Sequence, residues 1–150
     1  MRFSWHYYAI AVVLLFALMK ISNKPSRSML VSYLFLVIVA TLIFRNPTKD
    51  FHYELIPFRI LRVQNGGKMK DLLQQMLANI VMFIPIGILF TFSTKRNPIL
   101  CGAFFSIVLE SLQLITHRGV FEIDDILYNT CGAAIGVFLV NILIKFKNHI

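Results

Sequence analysis

The chain has 150 residues, 57% of them apolar, and a formal net charge of +8. That apolar content is far from that of an ordinary soluble domain, and several apolar runs approach the length that crosses a bilayer. The composition also speaks against nucleic-acid binding, because no soluble basic face remains to carry it. It predicts one all-α domain over residues 1–150, a polytopic membrane bundle of about five transmembrane helices.

The first two predicted spans cover residues 5–21 and 29–44. Trp5, Tyr7 and Tyr8 begin the first span and are typical of an aromatic anchor at the membrane interface. No small-x-small cleavage pattern follows, so we expect this span to be retained rather than removed as a signal peptide. Both spans are interpreted as scaffold or lipid-facing helices.

Residues 45–71 form the longest polar connection, and within it residues 55–63 are apolar apart from Arg59 and Arg62. This stretch is too short to span, so it predicts an interfacial or re-entrant segment between helices two and three. A loop that caps the bundle and a surface that contacts lipid are both compatible with it. The pair Gly66-Gly67 predicts a flexible break before the third span.

Three further spans are predicted over residues 72–93, 99–116 and 126–144. Gln75 and Asn79 are one turn apart in the third span and share a face. Cys101 and Cys131 lie inside apolar runs, so we expect packed, reduced thiols rather than a disulfide.

Polar residues concentrate in one stretch, residues 110–136, which holds four of the seven acidic residues: Glu110, Glu122, Asp124 and Asp125. A carboxylate in an apolar helix costs roughly 2.5–3.5 kcal/mol, so it indicates a functional cluster, with a structural ion pair as the competing interpretation. The connectivity places Asn79, Glu110 and Asn129 roughly 5–10 Å below the same rim. We therefore expect these three side chains to meet.

Helical spacing supports this arrangement. Two sets each fall on one helical face: Ser106, Glu110, Gln113 and His117, then Asp125, Asn129, Gly132 and Gly136. The two glycines predict close packing against span three or four. A purely structural interpretation has Asp124 as the N-cap of span five, Arg118 clasping an aspartate, and Glu110 hydrogen-bonded to Gln113 or Asn79.

These residues resemble the VanZ-like family, small bacterial membrane proteins named for resistance to teicoplanin. The resemblance covers roughly residues 55–136, through Leu55-Ile56-Pro57-Phe58, Asn79-x-x-x-Phe83-x-Pro85-x-Gly87, Glu110-x-x-Gln113, Arg118, Asp124-Asp125, Asn129-Thr130 and Gly132-x-x-x-Gly136. Glu54 stands where the family usually has Asn, and Glu122 where it usually has Asp. The resemblance implies an integral membrane protein that lowers susceptibility to teicoplanin, a lipid-tailed glycopeptide acting outside the cell.

Lysine and arginine counts are nearly balanced between the two membrane sides, eight against seven. The tight basic connectors favour a cytoplasmic position for the side that carries Lys95, Arg96 and the C-terminus. We expect the N-terminus outside, the C-terminus inside and the polar cluster near the outer face of a bacterial cell membrane.

Three functions remain open. The first is a binding module for a lipid headgroup or a lipid-anchored ligand, teicoplanin or a lipid-linked cell-wall precursor; its predicted ligand-binding residues are Glu110, Gln113, Arg118, Asp124, Asp125, Asn129, Asn79 and Arg59. The second is an intramembrane enzyme with Glu110 and Asp125 as an acid/base pair. The third is a scaffold for a cell-envelope protein. No residue spacing indicates a metal or another cofactor.

Overall fold

The computed structural model of this chain describes residues 27–43, 52–64 and 66–148. Its helices are α1 (Arg27–Ile43), α2 (Gly66–Ser93), α3 (Pro98–Ile115) and α4 (Ile123–Lys147). A two-residue strand β1 (Tyr53–Glu54), a short 3-10 helix (Arg59–Arg62) and a two-residue strand β2 (Phe121–Glu122) lie between them. The predicted all-helical architecture is therefore confirmed for these residues, whereas the predicted span over residues 5–21 lies outside them.

Three of the helices, α2, α3 and α4, are long and apolar enough to cross a membrane. The 17-residue α1 is also apolar but shorter, at the lower end of the roughly 17–25 residues that a spanning helix needs. The predicted spans two, four and five agree with α1, α3 and α4 to within a few residues. The chain is thus a multi-pass membrane protein.

The beginning of α2 differs from the prediction. Gly66 and Gly67 form its first turn rather than a flexible break. A helix of 28 residues is about 42 Å long and exceeds a hydrocarbon core of about 30 Å, and its charged residues Lys68, Lys70 and Asp71 all lie near its beginning. Extending an existing helix fixes only one residue for each hydrogen bond gained. The helix formed by the apolar part of α2 can therefore extend through Gly66 and Gly67, although glycine disfavours helix.

Helices α2 and α4 run parallel and pack with their backbones in contact. A Cβ atom at Gly132 would overlap the Ile80 carbonyl oxygen, and one at Gly136 would overlap the Ile84 carbonyl oxygen. Only glycine permits this approach, so the face predicted to pack against span three or four packs against span three.

The core lies where α1 and α3 meet α2. Its buried apolar side chains include Val37, Phe83, Ile86, Leu89 and Leu109. Many other large apolar side chains point outwards, as a lipid-facing surface requires, Phe35 and Phe138 among them. Cys101 and Cys131 are both free, but Cys131 is exposed on α4, so the expectation of a packed thiol is wrong there.

The ends of the helices define two rims. The first, called here the cluster rim, is where α1 and α3 end and α2 and α4 begin. The second, the opposite rim, is where α1 and α3 begin and α2 and α4 end. The strands and the 3-10 helix lie at the cluster rim, beside the first turn of α4.

Candidate functional site

A surface segment, residues 52–64, is attached to the first turn of α4 at the cluster rim. Strands β1 and β2 pair in parallel, with Tyr53 opposite Phe121 and Glu54 opposite Glu122. The Asp124 carboxylate then accepts hydrogen bonds from two successive backbone N–H groups, Phe58 N at 2.7 Å and Arg59 N at 2.8 Å. The segment is therefore held by a pair of charge-assisted bonds.

The conformation of Phe58 makes this attachment possible. Phe58 has φ 60° and ψ 43°, a left-handed conformation that is rare for a bulky side chain. Followed by the right-handed 3-10 turn, it directs two consecutive N–H groups to one side, which is the geometry of a backbone anion site. The Asp124 carboxylate occupies that site. Asp124 is consequently not the N-cap of α4: the N-cap is Glu122, which makes no side-chain capping bond.

Two arginines of the segment pair with carboxylates of the chain itself. Arg59 Nη1 lies 3.1 Å from Glu122 Oε1. Arg62 Nη2 lies 3.2 Å from Glu54 Oε1 and donates to the Ile56 carbonyl oxygen at 2.6 Å. Both arginine side chains are at least 40% exposed, so each ion pair contributes little to stability.

Beneath the segment, polar side chains of α2, α3 and α4 form a buried layer. Gln75 Nε2 donates to both carboxylate oxygens of Asp125 at 3.3 Å. The backbone N–H of Glu122 donates to Glu110 Oε2 at 3.2 Å. Asn129 Nδ2 donates to Ser106 Oγ at 2.8 Å. The predicted face of α3 and the predicted face of α4 thus both point into the bundle.

Asn79 and Asn129 each carry a buried polar atom without a partner among the described residues. These atoms are Asn79 Nδ2, a donor, and Asn129 Oδ1, an acceptor, on side chains that are 3% and 1% exposed. Of the two partners that the purely structural interpretation allows for Glu110, Gln113 or Asn79, Asn79 makes no hydrogen bond with it. Gln75 and Asp125 are bonded to each other and precede the two asparagines by four residues. The unpartnered amide groups consequently lie about one turn deeper, at a similar level of two parallel helices.

The connection between α3 and α4 is ordered by its own backbone. His117 is left-handed, with φ 54°, while Arg118 N donates to Gln113 O at 2.9 Å and His117 N to Leu114 O at 3.1 Å. This pattern is a Schellman motif with histidine in the position that glycine usually takes. Arg118 Nη1 donates to the Leu42 carbonyl oxygen at 3.0 Å and so satisfies a terminal carbonyl of α1.

The eight predicted ligand-binding residues fall into two groups that differ in burial. Six are buried: Asn79, Glu110, Gln113, Asp124, Asp125 and Asn129. Arg59 and Arg118 are partly exposed at the edge of the layer. Sequence reasoning left Gln75 out of the site, although its four-residue spacing to Asn79 repeats the spacing of Asp125 and Asn129 on the facing helix. Within the described ranges, no three His, Cys, Asp or Glu side chains could hold a metal ion together.

Several apolar helices long enough to span a membrane, with buried polar side chains between them, define a class, the polytopic α-helical membrane proteins. The chain belongs to the VanZ/LLP1 family, whose profile matches residues 5–144. It is 31% identical over 80 residues to Protein VanZ of Enterococcus faecium, an alignment covering 51% of this chain and 50% of that protein. The chain thus matches about half the length of that relative. No solved structure matches it.

Proposed function

We propose that this chain binds the polar headgroup of a lipid, or of a lipid-anchored ligand, in the buried layer at the cluster rim, and that binding lowers susceptibility to teicoplanin. In this proposal residues 1–150 form one domain of five spanning helices, with the segment of residues 52–64 at the interface. The N-terminus and the cluster rim face outside and the C-terminus faces the cytoplasm.

The observation that carries the proposal is the unpartnered pair of amide atoms on Asn79 and Asn129. A buried polar atom without a hydrogen bond costs about 1–3 kcal/mol, and native proteins leave few of them. One donor and one acceptor, at similar depth on neighbouring helices, together suit a ligand with hydroxyl, phosphate or amine groups. The Glu110 and Asp125 carboxylates of the same layer suit hydroxyl or ammonium groups.

The exposed apolar side chains of residues 52–64, above the layer, favour a ligand that has both a polar and an apolar part. Leu55, Ile56, Phe58 and Leu61 are all more than half exposed, although their backbone is fixed to α4. An apolar surface of this kind enters the headgroup region of a membrane. A ligand could therefore place its polar part against the layer and its acyl chains beside the segment. Teicoplanin, whose lipid tail anchors it in the membrane, has this character, as has a lipid-linked cell-wall precursor.

The test uses a substitution that removes polarity without removing volume. Asn79→Leu keeps the branching of the side chain and eliminates the unpartnered donor, so we expect a protein that is as stable as the wild type or more stable. In a teicoplanin-susceptible bacterium expressing the chain, we expect this variant to lose protection, measured as the minimum inhibitory concentration. Asn141→Leu is the matched control, because Asn141 is exposed on α4; it should protect like the wild type.

Full protection by Asn79→Leu, at equal protein levels in the membrane, would contradict the proposed site. A second measurement separates binding from the catalytic alternative. Lipid extracts of cells expressing the wild type or Glu110→Gln are compared by mass spectrometry. Identical profiles support binding, whereas a lipid species that depends on Glu110 supports an intramembrane enzyme. A protein partner retained equally by the wild type and Asn79→Leu would instead favour a scaffold.

A further inference from the structure

The opposite rim carries only positive charge within the described ranges. Its cations are Arg27, Lys95, Arg96, Lys145 and Lys147. The acidic side chains of the described residues all lie at the cluster rim or in the attached segment: Glu54, Asp71, Glu110, Glu122, Asp124 and Asp125. Clustered lysines and arginines next to spanning helices attract anionic lipid headgroups.

A groove of about 560 Å³ opens at this rim between α1 and α3, below the turn that joins α2 to α3. Its lining is mostly apolar and includes Leu34, Phe90, Phe104 and Phe105. The Arg96 side chain is at its mouth and makes no hydrogen bond or ion pair with the described residues. Phe104 is 68% exposed, so the outer wall of the groove is open to the surroundings of the helix bundle. The volume lies within the range of about 300–1,000 Å³ that is usual for ligand sites.

The side chains of Thr94 and Asn97 order the turn around Arg96. Asn97 Oδ1 accepts from Ile99 N and Leu100 N, which fixes the beginning of α3. Thr94 Oγ1 accepts from Arg96 N, which fixes the backbone of the turn. The turn is therefore ordered by bonds that do not involve the Arg96 guanidinium group. A planar guanidinium suits the paired oxygens of a phosphate.

We infer that this groove is a second lipid site, separate from the layer at the cluster rim, and that it holds one acyl chain of an anionic phospholipid whose phosphate lies against Arg96. The positive charge of this rim favours an anionic headgroup, and the apolar lining of the groove favours an acyl chain. Because none of its residues belongs to the polar layer, the site does not depend on the function proposed above.

The test follows lipid contact with tryptophan fluorescence. Trp5 is the single tryptophan, so Trp5→Phe combined with Phe104→Trp places one fluorophore on the groove wall. The full-length protein is reconstituted in phosphatidylcholine vesicles that contain brominated phosphatidylglycerol, or brominated phosphatidylcholine for comparison. We expect phosphatidylglycerol to be preferred at this tryptophan by about fivefold, the factor that one membrane-adjacent cation supplies. Arg96→Gln should abolish the preference, and Arg96→Lys should restore most of it.

Lys95→Gln is the matched control, because Lys95 occupies the same turn but does not line the groove. Lys95→Gln should keep the preference for phosphatidylglycerol. In the Trp5→Phe background, Phe138→Trp places the fluorophore on α4 instead, and its quenching should not depend on Arg96. Equal loss in Lys95→Gln and Arg96→Gln would show a general charge effect and overturn the proposal. Equal quenching by both brominated lipids in the wild-type background would overturn it as well. So would an unquenched tryptophan, because another part of the protein would then fill the groove.

Discussion

The attachment of the surface segment to α4 depends on one carboxylate, so Asp124→Ala should release the segment while the helices remain in place. In the wild type, Asp124 accepts from Phe58 N and Arg59 N at 2.7 and 2.8 Å and is 6% exposed. Alanine removes both acceptor oxygens together with the negative charge. The pairing of β1 with β2 remains, but two residues on each side cannot order the chain beyond them.

The magnitude follows from the two bonds and from the strained turn that they hold. Hydrogen bonds to a charged group contribute about 1.5–3 kcal/mol each, so the pair contributes about 3–6 kcal/mol. A left-handed conformation at Phe58 costs roughly 1–2 kcal/mol, which the pair offsets in the wild type. In Asp124→Ala the conformational cost at Phe58 remains, but the two hydrogen bonds that offset it are lost. The free energy of local opening should therefore fall by at least about 3 kcal/mol, a factor of about one hundred in the opening equilibrium.

Hydrogen exchange of the Phe58 and Arg59 amides in lipid nanodiscs measures this opening directly. Both amides should exchange at least a hundredfold faster in Asp124→Ala and by a smaller factor in Asp124→Asn, which keeps one acceptor oxygen. Asp71→Ala is the matched control, because Asp71 is exposed and makes no hydrogen bond or ion pair with the described residues. Unchanged exchange in Asp124→Ala would refute the reasoning, because the segment would then be held by other contacts.

Two further predictions concern packing and charge. Gly136→Ala should destabilise the protein by about 1–3 kcal/mol in unfolding from detergent micelles, because the new Cβ would overlap the Ile84 carbonyl oxygen, whereas Gly66→Ala, with nothing near its Cβ, should be neutral or slightly stabilising. Arg59→Gln should lower stability by less than about 1 kcal/mol, because its ion pair with Glu122 is partly exposed, and a larger loss would show that the arginine holds the segment together with Asp124.

Helical periodicity carries much of the fold, since an apolar run of sufficient length has few alternatives in a membrane. The position of Asn129 can be predicted in the same way. Spacing of three and four residues places Asn129 on one helical face with Gly132 and Gly136, and small residues indicate that this face packs against a neighbouring helix. Such reasoning fixes which side chains point inwards. It also explains why the buried residues of α3 were predicted, because an outward-pointing Glu110 would contact acyl chains.

Pairing between elements could not be predicted in the same way. The Asp124 bonds depend on the left-handed Phe58, and no property of a phenylalanine indicates that conformation. The N-cap expectation for Asp124 was reasonable from local rules, but a partner 66 positions away in the chain competed for the carboxylate. The parallel β1–β2 pair has the same origin, because two residues of strand have no periodicity to recognise.

The contact of Gly132 with α2 and the unpartnered atoms of Asn79 and Asn129 lie next to each other. Asn79 precedes Ile80, and Asn129 is one turn before Gly132, so the amide groups adjoin the place where the backbones of α2 and α4 touch. Rotation of either helix about its axis would move Gly132 away from the Ile80 carbonyl oxygen, so the close packing restricts both helices to one orientation. The close approach therefore fixes which side of each helix carries its asparagine, and each asparagine keeps an unpartnered amide atom there. An unpartnered buried amide atom costs about 1–3 kcal/mol, and the function proposed above predicts that a bound ligand offsets this cost at Asn79.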